Sequence, residues 1–174
     1  MSEAWIFSRD RRRATGERSD RASRLVLVLA FLVGLGGAFW WGQQRRLGSM
    51  AFPVDALMAA SIVLIWAGAA LRLWAVRTLG RCFRTAVMVL DDHRLVETGP
   101  YRRLRHPSYA GTLITLLGVA FGIGNWISLV ALSACVLPAY AWRIRVEEAA
   151  LLRRFGPVYE DYRRTRSALI PGVW

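Results

Sequence analysis

The sequence predicts an all-α polytopic membrane protein with four transmembrane helices, the last two a helical hairpin, followed by cytoplasmic C-terminal helices. Three observations carry this. Hydrophobic residues make up 55% of the chain and gather into charge-free runs, which sets aside the soluble classes. Residues 107–142 are 36 uncharged positions in a row. As one helix they would reach about 54 Å, nearly twice the hydrocarbon core, so they must turn. The formal charge of +12 comes from 24 arginines and no lysine. Such an excess suits nucleic acid or an anionic membrane. Position decides, because the arginines flank the apolar runs and no nucleic-acid module accompanies them. Membrane lipids are therefore the expected partner and nucleic acid is not. Cys82 and Cys135 lie far apart with no ligand-spaced neighbour, so both are read as free thiols and no metal is expected.

Taken in order, residues 1–24 form a basic cytoplasmic tail, with seven arginines against four acids. An apolar knot at Trp5, Ile6 and Phe7 could touch lipid, but a mobile juxtamembrane tail is the preferred reading. Residues 25–76 hold two N-terminal transmembrane helices. The first, residues 25–44, is charge-free over about 30 Å of helix, and Trp40, Trp41, Arg45 and Arg46 stand where a signal peptide would need a cleavage site. Gly34, Gly36 and Gly37 inside it read as helix-packing residues rather than a nucleotide loop. Pro53 opens the second helix, which runs to about Val76, with Arg72 able to snorkel and Trp66 and Trp74 suited to the membrane.

Residues 77–174 comprise a connector, a transmembrane hairpin and the C-terminal helices. The connector, residues 77–105, carries Asp91, Asp92, Glu97 and the breaker pair Gly99-Pro100 and is taken as cytoplasmic. Gly122, Gly124 and Asn125 break the hairpin, and Gly118 with Gly122 permits close approach of a neighbouring helix. Pro138 should kink the second arm. Residues 143–155 continue it out of the membrane, Gly156 ends it, and Pro157 opens a short helix bearing Tyr159 and Tyr162. The apolar end, residues 169–174, is expected to dock at the interface. The positive-inside rule places both termini and the connector in the cytoplasm, because the first loop exposes only Arg45 and Arg46.

Two segments could do chemistry. His106 precedes Pro107 and so lies at a helix N-terminus, whose free N–H groups favour an anion, as do Arg102, Arg103 and Arg105. On the exit helix Glu148 shares a stripe with Leu152 and Phe155, which ill fits a solvated face. Glu147, four residues after Arg143, also fits a helix-surface salt bridge. The hairpin brings both segments to one surface. The resulting pocket, with cationic, aromatic and anionic walls, suits a zwitterionic ligand from the cytoplasm and a lipid-like one from the bilayer.

The residues Gly99-Pro100-Tyr101-Arg102, Arg105-His106-Pro107-x-Tyr109-x-Gly111, Arg143-x-x-x-Glu147-Glu148-x-x-Leu151 and Phe155-Gly156-x-x-Tyr159-x-x-Tyr162 resemble the isoprenylcysteine carboxyl methyltransferase and phospholipid methyltransferase superfamily. The resemblance covers residues 72–174. It implies a small integral-membrane methyltransferase, in a bacterial inner membrane by its arginine-only composition, that uses S-adenosylmethionine on a lipophilic small-molecule or lipid acceptor. It further implies that His106, Pro107 and Tyr109, with Tyr101 alongside, hold the cofactor's amino-acid end, and that Glu147 and Glu148 meet its amino or ribose groups. Arg105, Arg143 and Glu148 are the implied catalytic candidates, the arginines orienting the acceptor. Glu148 or His106 would serve as base only for an amine acceptor. Two alternatives stand beside this: an NADPH-dependent membrane reductase of the sterol reductase type, which is similar in its Arg-His-Pro-x-Tyr stretch, and a non-catalytic membrane interaction protein.

Overall fold

The computed structural model describes the backbone of residues 3–44, 47–80 and 95–172, and side chains from Asp20 onward. Among the described residues five α-helices follow one another: α1 Glu3–Gly42, α2 Val54–Leu79, α3 Pro107–Ile123, α4 Trp126–Phe155 and α5 Pro157–Thr165, with a 3-10 turn at Gly99–Arg102 before α3. Helix α1 begins well before the first apolar run, so the stretch expected as a mobile tail is helical from Glu3. Arg45, Arg46, Cys82, Asp91, Asp92 and Trp174, and the side chains of Trp5, Ile6 and Phe7, lie outside the described residues.

Among the described residues, three helices are long and apolar enough to cross a membrane: Asp20–Gly42 within α1, α2 and α4. Helix α3 is apolar but shorter, at 17 residues. Their outward faces are what a lipid solvent permits, with Leu32, Val33, Val63 and Trp66 each more than 60% exposed. A soluble domain would bury such side chains.

The helices pack as two pairs, α1 on α4 and α2 on α3. The second pair is close because its facing residues are small. A Cβ on Gly68 would lie 2.4 Å from the Gly111 carbonyl oxygen, and one on Gly111 would lie 2.6 Å from that of Gly68. Gly118 meets the backbone of Ser61 and Ile65 in the same way, and Gly122 meets the Ser61 side chain, so the helices approach closely along this seam. In the first pair Gly34 faces Leu132 and Cys135, whereas Gly36 and Gly37 face open space; the packing role expected of all three belongs to Gly34 alone. Ser128 donates to the Ala38 carbonyl at 2.8 Å across this interface. Between the pairs, Leu116, Ala120, Leu132, Val136 and Tyr140 form a buried cluster with Ala38.

The hairpin turn falls where the sequence breaks. Gly124 adopts φ +68, and Asn125 caps α4 by accepting from the backbone of Ile127 at 2.9 Å and of Ser128 at 3.2 Å. The turn is clamped to the loop between α1 and α2: Met50 N–H donates to the Gly124 carbonyl at 2.8 Å, Trp126 N–H to that of Gly48 at 2.7 Å, and the Asn125 amide to that of Leu47 at 2.8 Å. With both short loops tied together at one end, the helices must run antiparallel. The start of α3 and the end of α4 therefore share the opposite end with the C-terminal segment. There Arg105 and His106 donate their backbone N–H groups to the carbonyls of Ser167 (2.8 Å) and Ala168 (3.0 Å). Ala168 and Leu169 are buried against Leu104, Ala110 and Ile144, so the apolar end docks first on protein; Ile170 remains exposed.

Candidate functional site

Pro107 opens α3, and His106 before it takes an extended-side φ of −126 and leaves the helix without a side-chain cap. The His106 carbonyl takes the N–H groups of Tyr109 and Ala110, both at 3.1 Å, and Pro107 has none, which leaves the Ser108 N–H as the first-turn donor outside these bonds. Residues 104–106 are held straight by their pairing with Ser167 and Ala168, which aims Arg105 and His106 at the last turns of α4.

Glu148 meets them. Its Oε1 lies 3.2 Å from the Arg105 guanidinium and 3.2 Å from His106 Nε2. One turn further into α3, the Tyr109 hydroxyl donates to Glu147 Oε2 at 2.6 Å and accepts from Arg143 Nε at 3.2 Å. The helix-surface pairing of Glu147 with Arg143 gives way to this tyrosine bridge between two helices. Tyr109 also stacks on His106, with ring centroids 5.5 Å apart and planes 10° from parallel, and leans on Tyr140 at 5.1 Å. A ring wedged between two others holds its hydroxyl in one place. All eight residues expected at a site, Tyr101, Arg105, His106, Pro107, Tyr109, Arg143, Glu147 and Glu148, lie at this end of the molecule.

Tyr101 is buried in the 3-10 turn, and its carbonyl accepts from the Tyr162 hydroxyl at 2.8 Å. Burial pushes the Tyr101 phenol well above its ordinary range, with the nearby Glu147 charge acting in the same direction. Tyr159 on α5 is 1% exposed, and burial followed by the Glu148 charge raises its phenol likewise. Burial also pushes Tyr162 up, to about 12. These tyrosines stay protonated at neutral pH, and Tyr162 uses its proton to donate to the Tyr101 carbonyl.

Two polar atoms beside Glu148 have no hydrogen-bond partner among the described residues: Arg105 Nε and the Tyr159 hydroxyl, both buried. Buried donors are rarely left unpaired, so these mark where a ligand's acceptor atoms would be welcome. Two residues with a part here escaped the sequence reading. Asp20 on α1 is buried and forms an ion pair with Arg143, and Ser23 Oγ accepts from Arg143 at 3.0 Å. Both lie in the arginine-rich stretch, where a polar side chain looks solvated. Among the described residues no group of three or more His, Cys, Asp or Glu could hold a metal ion.

Apolar spanning helices and an interfacial cluster of this kind define an integral membrane protein with a polar site at one end of its bundle. The sequence model of the isoprenylcysteine carboxyl methyltransferase (ICMT) family matches residues 60–153, and the chain belongs to that family. It is similar to protein-S-isoprenylcysteine O-methyltransferase of Schizosaccharomyces pombe, 41% identical over 80 residues covering 46% of this chain and 34% of that protein. Protein-S-isoprenylcysteine O-methyltransferase A of Arabidopsis thaliana is 35% identical over 114 residues, 64% of this chain and 58% of its own. The Saccharomyces cerevisiae protein-S-isoprenylcysteine O-methyltransferase is 34% identical over 127 residues, 72% of this chain and 52% of its own. The chain thus spans less than two thirds of each of these relatives.

Proposed function

We propose that this protein is an integral-membrane methyltransferase that uses S-adenosylmethionine to methylate a lipophilic acceptor at the cytoplasmic membrane interface. In this reading α3 is a fourth crossing, its short length suiting an arm whose start is drawn to the interface. One observation carries the proposal: two adjacent carboxylates, Glu147 and Glu148, face an uncapped helix start flanked by Arg105, His106 and Tyr109. A zwitterionic amino-acid end needs those two kinds of partner side by side. The relatives' names supply the reaction class, O-methylation of a protein S-isoprenylcysteine, and the family's description adds that the acceptor is a carboxyl group.

The residues present fit the donor. Glu147 and Glu148 would hold its ammonium and ribose hydroxyls, the α3 N-terminus and His106 its carboxylate, and the unpartnered Arg105 Nε and Tyr159 hydroxyl add two donors at the same place. When bound, S-adenosylmethionine supplies a methyl group already activated by its sulfonium. The chain then has to align reactants and exclude water. Arg105, fixed by Glu148, presents a cation that orients an acceptor carboxylate, and the half-buried ring of Tyr109 packed on the buried ring of Tyr140 dries the site. A carboxylate acceptor brings no proton, so no general base is required.

Calorimetry on the detergent-purified chain tests this against the reductase alternative. S-adenosylmethionine and its demethylated product should bind and NADPH should not. Transfer of labelled methyl to a short prenylcysteine, compared with a lipid amine, then reads the acceptor class. Binding of NADPH alone would overturn the reading.

A further inference from the structure

The site does not end at α4. Arg143, 5% exposed, divides its guanidinium between two helices: Nε donates to the Tyr109 hydroxyl at 3.2 Å, while the other edge engages the Asp20 carboxylate and Ser23 Oγ on α1. Asp20 is itself 2% exposed and is further held by Arg24 and by the Ser23 hydroxyl, which donates to the Asp20 backbone carbonyl at 3.0 Å. The contacts form one chain, Asp20 to Arg143 to Tyr109 to Glu147. Asp20 and Ser23 lie on α1, outside the residues 60–153 that the family model matches.

We infer that Asp20 is a positioning residue of the methyl-donor site, holding Arg143 away from Glu147 so that the Glu147 carboxylate stays on Tyr109 and available to the donor's ammonium. The inference rests on the methyltransferase reading. A buried guanidinium that loses its carboxylate seeks another, and here Glu147, on its own helix and one tyrosine hydroxyl away, stands in reach. With Asp20 neutral, Arg143 would pair with Glu147, release Tyr109 and cancel the negative charge that the donor needs. A salt bridge that merely joined α1 to α4 would change stability and leave donor affinity alone.

Calorimetry with S-adenosylhomocysteine on the full chain in nanodiscs separates the two. Asp20→Asn should weaken binding about tenfold in the wild-type background and less than about twofold in a Glu147→Gln background, because the effect travels through that carboxylate. Ser23→Ala, which keeps every charge, should weaken binding about threefold with the same dependence on Glu147, and it serves if Asp20→Asn does not fold. Asp20→Glu should restore most of the affinity. Wild-type affinity in both Asp20→Asn and Ser23→Ala, or an equal loss with and without Glu147→Gln, overturns the inference. Absence of binding by the wild-type chain overturns the methyltransferase reading itself.

Discussion

Tyr109→Phe removes one oxygen and leaves the ring, which makes it a sharp probe of the site. The ring keeps its stack on His106 at 5.5 Å and its contact with Tyr140 at 5.1 Å, so no cavity opens. What is lost is a donor to Glu147 at 2.6 Å and an acceptor for Arg143 at 3.2 Å. Each is a hydrogen bond to a charged group, about 1.5–3 kcal/mol when buried, and the half-buried tyrosine places both at the low end of that range. The Glu147 bond fixes a donor-binding carboxylate, and about 1.4 kcal/mol is tenfold in affinity, so S-adenosylhomocysteine should bind about tenfold more weakly. The Arg143 bond joins α3 to α4 and should appear as a melting point lower by about 4 °C in detergent. Calorimetry and a thermal-shift assay on the same preparation read both. A variant with wild-type affinity and turnover would refute the role given to this hydroxyl.

Three further outcomes follow from the fold. Asn125→Ala removes an N-cap and the amide's bond to the Leu47 carbonyl, so thermal unfolding should show a loss of about 2 kcal/mol, with donor affinity unchanged because the turn lies at the far end of the helices. Gly68→Ala places a methyl 2.4 Å from the Gly111 carbonyl oxygen, so α2 and α3 must part; we expect about 1–3 kcal/mol of destabilisation in a detergent melt, and no change would contradict the seam. Burial raises the Tyr162 phenol to about 12 from an ordinary 10. Between those values the unfolded chain ionises while the folded one keeps its proton, so stability present below pH 10 should fall as pH rises toward 12. Melting points recorded across that window should fall less steeply for Tyr162→Phe, and an unchanged slope would argue against a buried neutral phenol.

The parts of this architecture that sequence made legible are those governed by local chemistry. A 36-residue uncharged run can only turn, and Gly124 and Asn125 are the residues that turn it. Pro107 starts α3 because its missing N–H costs nothing there. Once the hairpin is drawn, Arg105 and His106 must approach Glu148. Other features depend on contacts that no local pattern encodes. The pairing of residues 104–106 with 167–168 joins backbone groups, which carry no residue signature. The ion pair of Asp20 with Arg143 links positions 123 residues apart, and an aspartate among arginines looks solvated until the helix that carries it is laid against α4. The helical course of α1 before Asp20 was equally hidden, because the stretch lacks an apolar run that would announce it. The seam at Gly68 was missed for a similar reason. A lone glycine in an apolar run gains meaning only when Gly111 is set opposite it.

The central claim is that the start of α3 and the exit of α4 form one cradle for the methyl donor. Ultraviolet cross-linking of methyl-labelled S-adenosylmethionine to the membrane-embedded chain, followed by peptide mapping, tests it directly. The account predicts label in both segments, residues 101–111 and 143–151, competed away by S-adenosylhomocysteine. Label confined to one of them, or lying elsewhere in a chain that still transfers methyl groups, would contradict it.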